Sequence, residues 1–329
     1  MSTRPSPRGV RLTDVGFGAA QLGNLGRVTT DDEAAGAVEE AWRRGIRYFD
    51  TAPHYGLGLS ERRLGAALAA RPRDEYVIST KVGRLLEPNE PPHGTDDGFV
   101  VPATHRRVFD FSRDAILRSV DESLARLGLD RVDILYLHDP DHEWEAASTT
   151  GVDTLIELRD QGVTRAIGAG MNQSAMLARF VRECDVDVVM LAGRYTLLEQ
   201  GAAEDLLPAA LDRGVAVIAA AVYNSGLLSA DRPAAGLTYD YLPAPESLIE
   251  RVTRIAEVCE RHGVRLPEAA VQFPLRHPAT ASVVVGMRTA DQVDSTLDRL
   301  AARIPVALWD DLRATGLLVA DDAIDTVAP

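Results

Sequence analysis

The sequence predicts a (β/α)8 barrel. Short apolar runs alternate with longer amphipathic stretches eight times along the 329 residues, the rhythm of α/β architecture. The apolar runs are rich in Val, Ile and Ala and do not alternate with polar residues, as expected for parallel strands buried on both faces. No G-x-G-x-x-G is present, so the fingerprint of an open doubly wound sheet is missing and eight steps favour closure. The alternative is an open α/β sheet in two halves.

The elements follow in order. A first strand is expected over 15–21. A helix over 31–45 has Ala34, Ala37, Val38 and Ala41 on one face, Thr30 or Asp31 as N-cap and Gly45 as stop. Strand 46–50, helix 59–70 and strand 76–80 come next. Helix 112–127 opens on Ser112 and stops before Gly128, and strand 132–138 ends the first half. Helix 153–161, strand 164–168, helix 174–183 and strand 186–192 continue the rhythm. So do helix 202–213 and strand 215–221. Two helices, 246–262 and 267–276, precede a last strand over 281–286 and a last long helix over 291–302. Barrels of this kind run from about 200 to over 400 residues as one domain. We therefore expect a single domain over 1–329, with its core over about 10–302 and a C-terminal tail over 303–329. Beyond Ala314 the tail, with Asp321 and Asp322, either packs over the barrel mouth or is disordered.

Two stretches break the rhythm. Residues 83–110 contain Pro88, Pro91, Pro92 and Pro102 and show no helical period; 224–245 carries Gly226, Pro233, Gly236 and Pro243. Structureless loops this long are functional or disordered. Each follows a strand end, which places it on the C-terminal face of a barrel, where we read both as pocket walls.

The composition excludes several classes. Lys and Arg number 35 against 49 Asp and Glu, a net charge of −14, which disfavours nucleic acid and anionic membrane surfaces as partners. Two cysteines, Cys184 and Cys259, cannot build a disulfide framework or a cysteine-rich zinc site, and we read both as packing residues. The polar N-terminal stretch 1–11 lacks a signal-peptide core. The longest apolar run, 214–222, is too short to span a bilayer. A cytoplasmic protein is the expectation. Oligomeric state is left open.

Residues at the C-terminal ends of barrel strands face the active site. Strand two ends at Asp50, with Tyr55 just beyond; strand three ends at Lys81; strand four ends at His138. A buried ammonium beside a phenol favours phenolate and lowers its pKa. Asp50 would keep Lys81 charged, and His138 would hydrogen-bond a substrate oxygen. This predicts a tyrosine tuned for acid–base work on a carbonyl or alcohol oxygen, with no metal site. The alternatives are a structural Asp50–Lys81 ion pair, or a Schiff-base lysine.

Gly45-Ile-Arg-Tyr-Phe-Asp50-Thr-Ala-Pro-His-Tyr55-Gly, Ser79-Thr-Lys81-Val-Gly and Asp133-Ile-Leu-Tyr-Leu-His138 resemble the aldo-keto reductase family. Arg165-Ala-Ile-Gly168 is similar to its strand-five signature, and the resemblance spans about residues 10–302. It implies a catalytic tetrad of Asp50, Tyr55, Lys81 and His138 and an extended NAD or NADP, with NAD favoured. It implies Asn172 at the nicotinamide carboxamide. Backbone amides of Asn224, Ser225, Gly226 and Leu228 would hold the pyrophosphate. Gly286, Met287, Arg288 and Gln292 would lie at the adenosine end. Three positions depart from the family: Met171 precedes Asn172 in place of Ser, Ala192 replaces a glutamine, and the aromatic that stacks on nicotinamide falls on Ala220. Tyr223 is the candidate replacement, and His54 a pocket wall.

The departures, with His138-Asp-Pro-Asp141 and Asn224-Ser-Gly-Leu-Leu, are similar to the family's sugar 1-dehydrogenase branch. That branch implies a small-molecule substrate, a cyclic hemiacetal such as L-fucose or pyridoxal, oxidised to a lactone. The competing expectations are a broad NADPH-dependent aldehyde or ketone reductase and a cofactor-binding regulatory subunit with slow turnover.

Overall fold

A computed structural model describes residues 4–89, 94–96, 98–234, 236–240, 242–319 and 322–325. Eight parallel strands close into a barrel: β1 (Val15–Gly18), β2 (Tyr48–Asp50), β3 (Val77–Val82), β4 (Ile134–His138), β5 (Ala166–Met171), β6 (Val188–Ala192), β7 (Ala216–Ala220) and β8 (Thr280–Gly286). β8 pairs with β1, Val283 opposite Val15, so there is no open edge and the two-half sheet is overturned. Helices run between the strands on the outside. None among the described residues is long and apolar enough to cross a membrane.

Two apolar layers hold this together. Between strands and helices lies the larger one, which includes Phe17, Phe49, Leu135, Ile167 and Val217. Inside the barrel, Tyr48, Ile134, Tyr136, Met190, Ile218 and Val284 fill the lumen, and Val10 joins them from the N-terminal segment. Both cysteines are free; Cys259 is buried and Cys184 half-buried.

Local chemistry places the element ends. Helix Asp31–Arg43 opens with a capping box in which Thr30 and Glu33 bond each other's backbone amides. Ser112 caps Arg113–Leu127, and Gly128 ends it in the left-handed region. Several expected bounds shift. The first strand stops at Gly18, and Ala19–Gly23 forms a 3-10 turn. Helix 202–213 begins only at Leu206, because Pro208 is tolerated in a first turn and nowhere deeper. Helix 267–276 ends at Gln272 and continues as a 3-10 turn through Pro274.

The two long loops are not structureless. Arg84–Pro88 pairs antiparallel with His105–Phe109, and Thr238–Tyr239 pairs with Leu242–Pro243. The first hairpin escapes sequence reading because no short turn joins its strands; Pro91 and Pro92 lie outside the described residues. The tail also holds structure. Helix Val306–Ala314 buries Leu308, Trp309 and Leu312, and Leu317 and Leu318 are buried beyond it. Gln200 and Arg251 donate to the Leu317 carbonyl. The core therefore extends past residue 302; Asp321 lies outside the described residues.

β5 and β6 approach closely where β5 has no side chain. A Cβ on Gly168 would stand 1.6 Å from the Val188 carbonyl oxygen, and backbone cannot yield as a side chain can. Gly168→Ala is predicted to cost about 3 kcal/mol or more, at the upper end of overpacking penalties. Gly36→Ala in helix Asp31–Arg43, where a Cβ meets nothing within 4 Å, is predicted to be neutral or stabilising by up to about 1 kcal/mol. Urea midpoints compare the two; equal midpoints would overturn this account of the β5–β6 contact.

Candidate active site

Asp50, Lys81 and His138 come from three adjacent strands and meet at the C-terminal mouth. Lys81 Nζ donates to Asp50 Oδ2 at 2.8 Å and Oδ1 at 3.0 Å, to the Thr51 carbonyl at 2.9 Å and to Tyr55 Oη at 3.2 Å. Both charged side chains are 3% exposed. Ser79, two residues before Lys81 and so on the same strand face, donates to Asp50 Oδ1 at 2.7 Å. Tyr48 Oη lies 3.1 Å from Ser79 Oγ and 3.5 Å from Tyr136 Oη, extending a row of hydroxyls into the lumen.

Tyr55 reaches the ammonium from the loop after β2. The turn that follows it runs through Gly56, Leu57 and Gly58, all at positive φ. Gly56 packs on Gly23, where a Cβ would sit 2.2 Å from the Gly23 oxygen. Only glycine satisfies both the angle and the approach. Ser60 locks the turn: its Oγ donates to the Ala19 carbonyl at 2.7 Å and its amide to the Tyr55 carbonyl at 3.2 Å.

The electrostatics differ from expectation at one group. Burial raises the Tyr55 pKa and outweighs the opposing pull of Lys81, so the phenol is not lowered. Phenol and ammonium share a dry site, and desolvation penalises the anion more than one cation relieves it. Lys81 goes the other way: burial disfavours its charge, but Asp50 and Tyr55 together raise its pKa. His138 is buried, its Nδ1 has no hydrogen-bond partner, and burial with the Arg84 charge holds it well below its ordinary pKa, so it is neutral.

His54 is a wall of this mouth. Its ring stands edge-on to His138, with centroids 5.5 Å apart, and edge-on to Phe99 at 5.3 Å. Phe99 stacks on Tyr55 at 6.1 Å. Phe99 was legible only as part of an aperiodic loop. Two ion pairs fasten the hairpin region: Arg107–Asp96 at 2.6 Å, with Arg107 also donating to the His54 carbonyl, and Arg84–Asp139 at 2.8 Å. Ser79, Phe99, Arg84 and Asp139 were not anticipated. Of these, the two-residue spacing of Ser79 from Lys81 was a usable signal.

The expected cofactor positions divide. Asn172 and Ser225 are exposed beyond β5 and β7, and Gly286 is exposed at the end of β8. The others are committed within the fold. Asn224 is buried, accepting from Thr196 Oγ1 at 2.6 Å and donating to the Gly193 carbonyl at 3.0 Å. The amides of Asn224, Gly226 and Leu228 donate inside their own turn, so three of the four expected pyrophosphate donors are already engaged. Leu228 and Met287 side chains are core. Arg288 donates to the Leu25 and Arg27 carbonyls and to Thr29 Oγ1, clamping the 25–29 loop instead of offering a free cation. Gln292 accepts from the Arg288 amide at 2.8 Å. Tyr223 turns away from the mouth, packing in the strand–helix layer with its hydroxyl 3.4 Å from Arg299 Nη1, so it cannot replace the missing aromatic.

A nicotinamide dinucleotide nevertheless fits the residues present. Gln21 Oε1 is buried without a partner beside Gly286, where a Cβ would stand 2.3 Å from Gln21 Nε2. β6 and β7 end in Ala192 and Ala220. Small residues and an unspent amide oxygen leave room and a polar contact for a flat polar ring or ribose along the strand ends.

Comparison with known proteins gives consistent matches across the chain. The model of the Aldo/keto reductase family matches residues 14–315. D-threo-aldose 1-dehydrogenase of a Pseudomonas species is 48% identical over 96% of this chain and 98% of its own. Pyridoxal 4-dehydrogenase of Microbacterium luteolum is 39% identical over 94% and 96%. Among solved structures, the holo form of an aldo-keto reductase from Bacillus halodurans superposes with a TM-score of 0.76 at 24% identity, covering 96% of each chain.

His54 sets a pH dependence. Burial, then the charges of Arg107, Arg84 and Lys81, lower its pKa from 6.5 to about 3. Between those values the unfolded chain binds a proton that the folded one does not, so stability is full above 6.5 and falls as pH drops toward 3. His54→Phe is predicted to flatten part of this fall, read as urea midpoints at successive pH values. An unchanged slope would overturn it.

Proposed function

Because the chain belongs to the aldo/keto reductase family and is an oxidoreductase, we propose that it oxidises the anomeric carbon of a cyclic hemiacetal to a lactone. The substrate class is an aldose in its ring form, such as L-fucose. The observation that carries this reading is the 48% identity to a D-threo-aldose 1-dehydrogenase across nearly the whole of both chains. The 39% identity to a pyridoxal 4-dehydrogenase favours pyridoxal, whose hemiacetal is also cyclic, as a second substrate to test.

A nicotinamide cofactor, held along the strand ends beside Gln21 and Gly286, would supply the hydride acceptor for the anomeric carbon. The chain's own residues handle the proton. Because burial raises the Tyr55 pKa, oxidation proceeds from the phenolate, formed when the phenol has given its proton to solvent. Tyr55 Oη then takes the proton of the anomeric hydroxyl and the C–O bond becomes a carbonyl. In the reverse direction the protonated phenol donates to that carbonyl. Lys81, held cationic by Asp50, lies 3.2 Å from that oxygen and offsets charge passing through it. Neutral His138 offers an N–H to the substrate oxygen and orients it. His54, Phe99 and Tyr55 supply an apolar wall that keeps water from the proton transfer.

NAD is the acceptor we favour over NADP. A 2′-phosphate needs a cation, and the Arg288 guanidinium spends its donors on the 25–29 loop.

The test is a panel of L-fucose, D-arabinose, pyridoxal and simple aldehydes with each cofactor, followed by absorbance of the reduced form. Oxidation of the sugars with NAD is expected, and Tyr55→Phe should lose about 10²–10⁴-fold in kcat. Rapid NADPH-dependent aldehyde reduction with no sugar oxidised would overturn the reading. Full activity in Tyr55→Phe would overturn the role of the phenol.

A further inference from the structure

Asp139 directly follows His138 at a bend of the backbone. Its φ is +45°, in the left-handed region, and its amide donates to the Gly170 carbonyl at 2.9 Å. Few non-glycine residues sit there, and aspartate is among those that do. The bend keeps Asp139 at the mouth: Oδ2 lies 3.7 Å from His138 Nε2 and 2.8 Å from Arg84 Nη2. Arg84 begins the hairpin just past β3, its guanidinium stacked on Phe109 at 4.6 Å and its Nε buried without a partner. The two side chains are 17% and 29% exposed, so the pair is half-sunk and still open to whatever fills the mouth.

Such a pair joins a fork of donors to a pair of acceptor oxygens. A hydroxyl donates once and accepts as well, so adjacent ring hydroxyls can give protons to a carboxylate and take them from a guanidinium. We propose that Arg84 and Asp139 form the subsite that grips the ring hydroxyls of the substrate and so determines specificity for polyhydroxylated lactols over bare ones. The inference rests on the lactol reading above. The pair's proximity to His138 also gives a rival role, positioning that imidazole for every substrate alike, and the two roles are separable.

The test compares L-fucose with tetrahydropyran-2-ol, a cyclic hemiacetal that keeps the ring oxygen and anomeric hydroxyl and has no other hydroxyl. Asn tolerates left-handed backbone better than other non-glycine residues, so Asp139→Asn preserves the bend while removing the charge. Asp139→Asn is expected to lower kcat/KM for L-fucose by roughly tenfold or more, chiefly through KM, and to leave tetrahydropyran-2-ol within about twofold. Arg84→Lys, which keeps the positive charge beside His138 but loses the fork of donors, should repeat the pattern, and it carries the test if Asp139→Asn does not fold. Equal losses on both lactols, or no loss on either, would overturn the subsite. Wild-type turnover of neither lactol would overturn the functional reading and the subsite with it.

Discussion

The Lys81–Asp50 pair is the constraint on which the mouth depends. Two opposite charges taken almost fully out of water are tolerable only while each satisfies the other. Removing one partner of such a pair commonly costs about 3–5 kcal/mol, because the survivor is left desolvated. The neighbourhood reflects that demand. The Thr51 carbonyl, the Ser79 hydroxyl and Tyr55 are all enlisted to complete the hydrogen bonding, and each in turn is held by the barrel. The β2 loop must bend through three positive-φ residues to present Tyr55, and β3 must carry Ser79 and Lys81 on one face. A change that moves either strand end exposes the charges and loosens the phenol together.

The charges around the pair are sorted by burial. Both imidazoles at the mouth are neutral, although the chain as a whole is acidic, because desolvation and nearby cations act on them in the same direction. The phenol keeps its proton because desolvation exceeds the help from one ammonium. Among the described residues, the charges that crowd this dry site are Lys81, Asp50 and the Arg84–Asp139 pair, with Arg107 acting on both imidazoles from behind His54. An oxygen that gains charge during reaction meets a fixed cation instead of a mobile hydration shell, which is where preorganised sites act most strongly.

Much of this was legible from residue pattern, and the exceptions share a cause. Apolar runs and amphipathic spacing specified eight strands and their order, and strand-end position singled out Asp50, Lys81 and His138. Caps such as Thr30, Ser112 and Gly128 are local chemistry and read directly. What pattern could not supply is the partner of each polar group. Arg288 was expected to meet a nucleotide and instead clamps a loop some 260 residues away in sequence. Tyr223 has the right chemistry at the right loop, but its hydroxyl is drawn outward to Arg299. The hairpin over 84–88 and 105–109 is likewise a long-range pairing, with prolines and glycines that read locally as coil. The sign of the Tyr55 shift depended on how deeply the barrel buries it, a tertiary quantity that no motif encodes.

Lys81 is also the sole lysine among the chain's 35 basic residues, the rest being arginines. Apart from the chain's α-amino group, the molecule therefore carries one primary amine, and it is sealed at the bottom of the mouth. Reagents selective for amines find no lysine on the outer surface to modify, so their reaction with the side chain reports opening of the mouth and nothing else. Biosynthetic labelling with isotopic lysine likewise places a single probe in the whole protein, at the point where the ion pair, the phenol and the row of hydroxyls converge.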